Sequence, residues 1–375
     1  MKAWVLEDIG KILFQEIERP VPADNEVLVR VRSCGICGSD VPRIYKDGAH
    51  RMPLVIGHEF SGEVEETGKG ASRSWLGKRV GIFPLIPCKK CGPCKKGLYE
   101  MCRNYGYLGS RRDGGFAEYV SVPVWNLIEL PENVSFRQAA MLEPMAVARH
   151  AIGRVEPKPG DKVSVYGQGT IGLFLLMLLI EQGIQDIFVF ANHDIQKQTA
   201  AEFGLPKEHI CDTRTDEING WIAERTDGNG FDASFDAIGS NVIYSMAVEN
   251  SAPGGRVCLM GNPASDMSLK RDIYWKILRN QLKLFGTWNS SFEGRSDNRR
   301  FTGEQGEKIN SEREKRTEGK GNDWKEILSL LCEERICPER VITHCFGIGE
   351  IDRGFRIMRD KSEEYIKIMM RDQQG

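Results

Sequence analysis

The stretch KVSVYGQGTIGLFLLMLLI, residues 162–180, decides the fold. It reads as a short strand, a tight turn and an apolar helix, with Gly167, Gly169 and Gly172 at the spacing G-x-G-x-x-G. The first glycine permits the turn, the second lets backbone come close to a pyrophosphate, and the third lets helix and strand pack. A phosphate then meets the helix N-terminus, where unpaired N–H groups and the helix dipole favour negative charge. Alone the triplet is weak evidence. Between a strand and a helix it is strong, and Gly167, Gly169, Thr170, Ile171 and Gly172 become candidate cofactor-binding residues.

Moving toward the C-terminus, IFVFAN, IQKQTAAEFG, FDASFDAIG, GGRVCLMG and LKLFGTW continue the alternation of strand and helix. That alternation predicts an α/β doubly wound parallel sheet. Its second strand ends at Ala191, Asn192 and His193, where an acid is expected to hold the adenosine ribose. With no carboxylate to repel it a 2′-phosphate fits, and with no arginine just there the unphosphorylated ribose fits as well, so NAD and NADP both stay open. From Ser290 to Asn322 the sequence turns charged and nearly free of large apolar side chains, which predicts a surface insertion. DWKEILSLLCEERI then reads as an amphipathic helix and YIKIMM as a short final strand.

Moving toward the N-terminus, residues 1–32 alternate apolar and polar positions, and Val27, Val29 and Val31 are expected to share one sheet face. With FSGEVEETG and GKRVGIF this half predicts an irregular β-rich unit. Within it Cys37, His58 and Glu59 bring a thiolate, an imidazole and a carboxylate into one region, the ligand types that zinc selects. Buried free cysteines and satisfied core histidines are each commoner than ligands, so neither residue alone is decisive. Glu143, in RQAAMLEPMAVARHAI, is a carboxylate in apolar company that needs a counter-charge, which a metal supplies.

Cys88, Cys91, Cys94 and Cys102 are spaced to close a tetrahedral site of four sulfurs. An iron–sulfur cluster uses similar ligands, but a full cysteine shell around structural zinc is the default. A nucleic-acid-binding zinc ribbon is the reading from another class, with Lys89, Lys90, Lys95 and Lys96 as its basic residues. The aromatic interleaving that stacks bases is missing from it. Arg111 and Arg112 are adjacent in the Gly-rich stretch YLGSRRDGGFAEYVSVP, where solvated surface charge and anion binding compete as explanations.

The whole composition sets limits. The 375 residues carry a formal net charge of −2, with 41% apolar and 28% charged residues, so no global field recruits nucleic acid or anionic lipid. The apolar run Ile171–Ile180 is far short of the roughly 20 residues of a membrane span. MKAWVLEDIG has charges where a signal peptide needs apolar residues, so a cytoplasmic location is expected. Eleven cysteines in a reducing compartment are then better explained by metal ligation than by disulfides.

Taken in order, CGICGSD, GHEFSGEV, the four-cysteine run, the Glu143-Pro144 pair and YGQGTIG resemble the zinc-dependent medium-chain dehydrogenase/reductase family over almost the whole chain. Within it, GSDVPRIYKDGAH, GHEFSG and GSRRDGGFAEY are similar to the galactitol-1-phosphate 5-dehydrogenase branch. The resemblance implies a GroES-like catalytic domain at 1–153, with a structural zinc lobe at 86–104, and a Rossmann domain at 154–289. An insertion at 290–322 and a return to the catalytic domain at 323–375 complete it, and the assembly is expected to be a dimer or tetramer.

The resemblance also implies two zinc ions per chain and a nicotinamide cofactor. Cys37, His58 and Glu143 match the catalytic zinc ligands, with Glu59 nearby, and Ser39 matches the hydroxyl that starts a proton relay. Pro42 stands where several relatives carry the next relay histidine. Lys367 falls near a cofactor-phosphate position. Arg43, Arg111 and Arg112 are the candidates for a substrate phosphate, with Lys46 and His50 behind them. The expected reaction takes hydride from a secondary hydroxyl of a sugar-alcohol phosphate to NAD(P). Free sorbitol, xylitol or butanediol are the alternative substrates, and a metal-free quinone reductase on the same fold is a further rival.

Overall fold

The computed structural model describes residues 1–294 and 322–371, so most of the charged segment expected as an insertion lies outside the described residues. Six parallel strands stand side by side in the order Ile210–Asp212, Ile187–Ala191, Val163–Tyr166, Phe231–Asp236, Ser251–Leu259 and Lys283–Gly286. The order reverses at Val163–Tyr166, the strand that leads into Gly167. A crevice therefore opens at its carboxyl end, where doubly wound sheets bind their ligands. The helix Thr170–Glu181 that follows is apolar on nearly every face, with Leu173 through Leu179 all buried. An all-apolar helix needs cover all round. It packs against the helix Leu142–Val155, which in turn carries the helix Asp323–Cys332.

The second sheet has seven strands built around Glu26–Gly35. Glu59–Thr67 pairs with it on one side, and on the other Tyr119–Pro123 and Lys367–Arg371 share its length. Val27, Val29 and Val31 do alternate along the strand, yet Leu28 is as buried as they are. A central strand covered on both faces buries both sets of side chains. Strand Lys367–Arg371 runs antiparallel to Glu26–Gly35 with Met369 opposite Gly35, so the last described strand completes the sheet that the first part of the chain begins. The expected pairing of a GroES-like β-rich unit with a Rossmann sheet is the architecture observed.

The helical stretch around Glu143 divides in two, Phe136–Ala140 and Leu142–Val155, with the break at Met141. Pro144 explains the break, because it lacks the N–H that would bond Ala140 and its ring crowds that carbonyl. Ser135 and Gln138 close a capping box on the first piece. Among the described residues no helix is long and apolar enough to cross a membrane.

Candidate metal and cofactor site

Strand register builds the first half of the site. Gly35 is paired with Glu59, so the loop carrying Cys37 and the loop carrying His58 leave the sheet side by side. The ligand atoms of Cys37, His58 and Glu59 all lie within 4.8 Å of one another. Gly57 holds the turn before His58 at φ +98°, and a Cβ there would press on Phe116 and Cys34. Gly35 is constrained differently, since a Cβ would collide with the Glu59 carboxylate and the Lys367 side chain.

Glu143 enters from the helix Leu142–Val155 and is buried. The Tyr107 hydroxyl donates to its Oε1 at 3.2 Å, and burial, reinforced by the charge of Glu59, pushes its carboxyl up to about 7. The residue pattern grouped Glu59 with Cys37 and His58, while the resemblance made Glu143 the third ligand with Glu59 nearby. The structure instead puts Glu59 in the compact trio and turns Glu143 to Tyr107. Glu59 is fixed by strand register, while Glu143 accepts from a half-buried hydroxyl of its own.

Lys367, expected near cofactor phosphate, has its partners inside the metal-competent cluster. It is 2% exposed, its ammonium is ion-paired with Glu59, and it donates to the Ile36 carbonyl at 3.0 Å. A buried carboxylate demands such a partner, so this cation is committed to the metal-competent cluster.

Asp40 was not singled out by sequence reasoning, although it closes the CGICGSD run. Its side chain is fully buried, accepts from the Cys37 backbone N–H at 3.0 Å, pairs with Arg43 and lies 3.6 Å from His58 Nδ1. Burial alone would raise its pKa, but the charges of His58 and Arg43 and the Cys37 N–H hold it below the usual carboxylate range. The same Asp40 and the Cys37 sulfur outweigh burial at His58 and push the imidazole up. A carboxylate behind a histidine fixes the ring, as in metal centres where outer groups orient the ligands. Ser39 Oγ lies 3.3 Å from Cys37 Sγ, at the cluster's edge.

The residues present fit a zinc ion, because a thiol, an imidazole and a carboxylate converge, with the buried carboxylate of Glu143 close enough to feel the charges of His58 and Glu59. The four-cysteine lobe fits a second one. The sulfurs of Cys88, Cys91, Cys94 and Cys102 lie within 4.8 Å of one another, and none of these cysteines is in a disulfide. Backbone N–H groups of Arg103 and Cys94 hold the Cys91 thiol down to about 6, so one sulfur is ready to act as a thiolate.

At the glycine turn, Gly167 has φ +90° and a Cβ on Gly172 would overlap the Gly167 carbonyl, which is why both positions need glycine. Gly169 precedes the helix Thr170–Glu181. The Thr170 hydroxyl is spent on the Ile366 carbonyl at 2.8 Å and Ile171 packs on the core, so these two can offer a phosphate their backbone but not their side chains. Ala191 is buried at the end of its strand, the Asn192 N–H donates to Gln196, and His193 Nδ1 lies 3.2 Å from Glu364. Arg214, missed in the sequence, reaches this corner from beyond the third strand and pairs with Asp194 at 2.6 Å and with Asp212. A residue two places beyond the short strand Ile210–Asp212 was the available signal.

The three arginines expected to hold a substrate phosphate part company. Arg43 stays beside the cluster through Asp40. Arg111 lies over the ring of Tyr105, 4.7 Å from its centroid. Arg112 turns away to Glu26 at 2.8 Å, in a separate cleft with Val21, Arg51 and Tyr119. Adjacent residues in the turn point their side chains differently.

Comparison with known proteins agrees with this geometry. Residues 23–132 match the alcohol dehydrogenase GroES-like domain and residues 170–302 match the zinc-binding dehydrogenase domain. The chain is 29% identical to galactitol 1-phosphate 5-dehydrogenase of Escherichia coli K12, over 92% of each chain. It is 35% identical to (R,R)-butanediol dehydrogenase of Bacillus subtilis, over 69% of this chain and 77% of that one. An alcohol dehydrogenase from Escherichia coli CFT073, solved with NADH, superposes with a TM-score of 0.85 at 27% identity, covering 99% of both chains.

Proposed function

The chain belongs to the zinc-type medium-chain alcohol/polyol dehydrogenases, and from that premise we propose that it oxidises a secondary hydroxyl of a sugar-alcohol phosphate resembling galactitol 1-phosphate, with NAD or NADP as the acceptor. One observation carries the reading. Thr170, at the start of the glycine-turn helix, bonds the carbonyl of Ile366, and the next residue, Lys367, holds Glu59 beside Cys37 and His58. Cofactor turn and metal-competent cluster are thus tied together through two consecutive residues.

Cys37, His58 and Glu143 or Glu59 would hold the catalytic zinc, and Cys88, Cys91, Cys94 and Cys102 the structural one. When bound, the catalytic ion supplies Lewis acidity that lowers the pKa of a substrate hydroxyl, and the nicotinamide supplies the hydride acceptor. The chain does the rest. Asp40 orients His58, Tyr107 and Lys367 each restrain one carboxylate, and Ser39, at the edge of the cluster, is placed to take the proton released there. Pro42 has no proton to pass on, so another carrier such as water would have to finish the path. Backbone at Gly167, Gly169, Thr170, Ile171 and Gly172 would hold the cofactor phosphates, and Ala191, Asn192 and His193 would border the ribose.

In this reading residues 1–153 and 323–371 form one catalytic unit and 154–289 the coenzyme unit. The edge strand Lys283–Gly286, with exposed Leu284 beside exposed Tyr274, Trp275, Leu278 and Trp288, supports a homo-oligomer. A cytoplasmic small-molecule enzyme is the setting proposed. The second reading, a dehydrogenase of free polyols or diols, draws on the higher identity to the butanediol enzyme.

Initial rates of the zinc-loaded protein on hexitol 1-phosphates, free hexitols, xylitol and 2,3-butanediol, with NAD and NADP in parallel, decide between them. Preference for a phosphate ester supports the proposal. Turnover of free alcohols alone establishes the second reading, and no turnover of any alcohol removes both.

A further inference from the structure

Among the charged groups around the cluster, Arg111 is out of balance. Arg43 answers Asp40, Lys367 answers Glu59 and Arg112 answers Glu26. Arg111 has no carboxylate within ion-pair distance among the described residues, and its Nε is buried without an acceptor.

Its position is nevertheless fixed. The guanidinium lies on the Tyr105 ring, Tyr105 meets Tyr107 edge-on at 6.1 Å, and Tyr107 meets His58 at 5.8 Å while bonding Glu143. Two rings thus hold the cation at a set remove from the metal-competent residues. A guanidinium stacked through its face keeps its N–H edge for a planar or tetrahedral oxyanion. His50 is exposed on the same side, close enough to Arg111 and Arg43 that, after burial, their charges hold its imidazole below the ordinary value. Positive groups brought together without an anion repel one another, and a dianionic ligand reverses the sign of that interaction.

We propose that Arg111, flanked by His50 and Arg43, forms the subsite that takes the phosphate monoester of the substrate, while Arg112 has no part in it. The inference rests on the polyol dehydrogenase reading and deepens it by naming the group that discriminates phosphorylated from free polyols. Arg111 is the specificity-determining contact. His50 adds one donor and Arg43 adds charge from beside Asp40.

The test is steady-state kinetics of zinc-loaded wild type, R111A, R111K and R112A on hexitol 1-phosphates and the matching free hexitols, with inorganic phosphate as competitor. R111A is expected to lower kcat/KM for the phosphate esters about ten- to a hundredfold more than for the free hexitols, mostly through KM. R111K recovers part of the loss, and R112A shifts both substrate types alike. Equal losses on both in R111A, at wild-type zinc content and melting temperature, overturn the subsite and leave the phosphate reading standing. A wild type that neither prefers the esters nor is inhibited by inorganic phosphate overturns the phosphate reading, and the subsite with it. Should R111A fail to fold, the phosphate inhibition constants of R111K and H50A decide. A rise in both supports the subsite, and wild-type values in both overturn it.

Discussion

The two metal-competent clusters are built by opposite means. The four-cysteine lobe draws its ligands from Cys88 to Cys102, a short loop with one turn of helix at Gly92–Lys95. It leans on the body through side contacts, Tyr99 edge-on to Trp125 and Lys89 over the same ring. The other cluster collects Cys37, the neighbours His58 and Glu59, Glu143 and Lys367 from four separate places in the chain and sets their charges against one another. The first is held by local backbone, the second by the whole fold. Removing a group should therefore be far costlier in the second.

The sharpest way to break that contrast is K367M, which leaves Glu59 buried without its cation. Unfolding in denaturant should show a loss of about 3–5 kcal/mol, the usual result of removing one partner of a buried ion pair. Next in size, G35A puts a methyl group against Glu59 and Lys367 and should cost about 1–3 kcal/mol by the same measurement. A loss confined to the lobe in either variant would erase the distinction.

Metal removal sharpens it through pH. The Glu143 carboxyl is raised to about 7, so its contribution to stability is full below the unfolded-state value and is lost as pH climbs through about 7. Chelator-treated protein should melt at progressively lower temperature from pH 5 to pH 8. Zinc-loaded protein, with a cation to offset the ionised carboxylate, should show a smaller decline. The smallest effect belongs to the lobe, where K89A removes one cation–ring contact and should cost about 0.5–1 kcal/mol in thermal unfolding.

The same contrast explains what the sequence could disclose. The cysteine lobe and the glycine turn were legible because their working parts are neighbours in the chain and their spacing is itself the geometry. Cys37, His58 and Glu143 were nameable from side-chain chemistry and resemblance, but not their partners. Asp40 and Tyr107 looked like ordinary residues until folding set one against His58 and the other against Glu143. Arg111 and Arg112 are indistinguishable as a pair of letters. Only the ring of Tyr105 and the carboxylate of Glu26, remote in sequence from Arg112, send them apart. The pairing of Lys367 with Glu59 was hidden for a related reason, because it depends on a strand that joins the sheet across more than 300 residues.

That last strand sets an order of events during synthesis. Glu59 leaves the ribosome 308 residues ahead of the ammonium that neutralises it, and the opposing Gly35 edge waits equally long for its strand neighbour. A nascent chain has all four lobe cysteines by Cys102, but the cluster around Glu59 carries an unanswered charge until residue 367 has been made. The cluster of Cys37, His58 and Glu59 is thus balanced in charge only after that residue has been added, and a chain cut short before Lys367 leaves Glu59 without its cation.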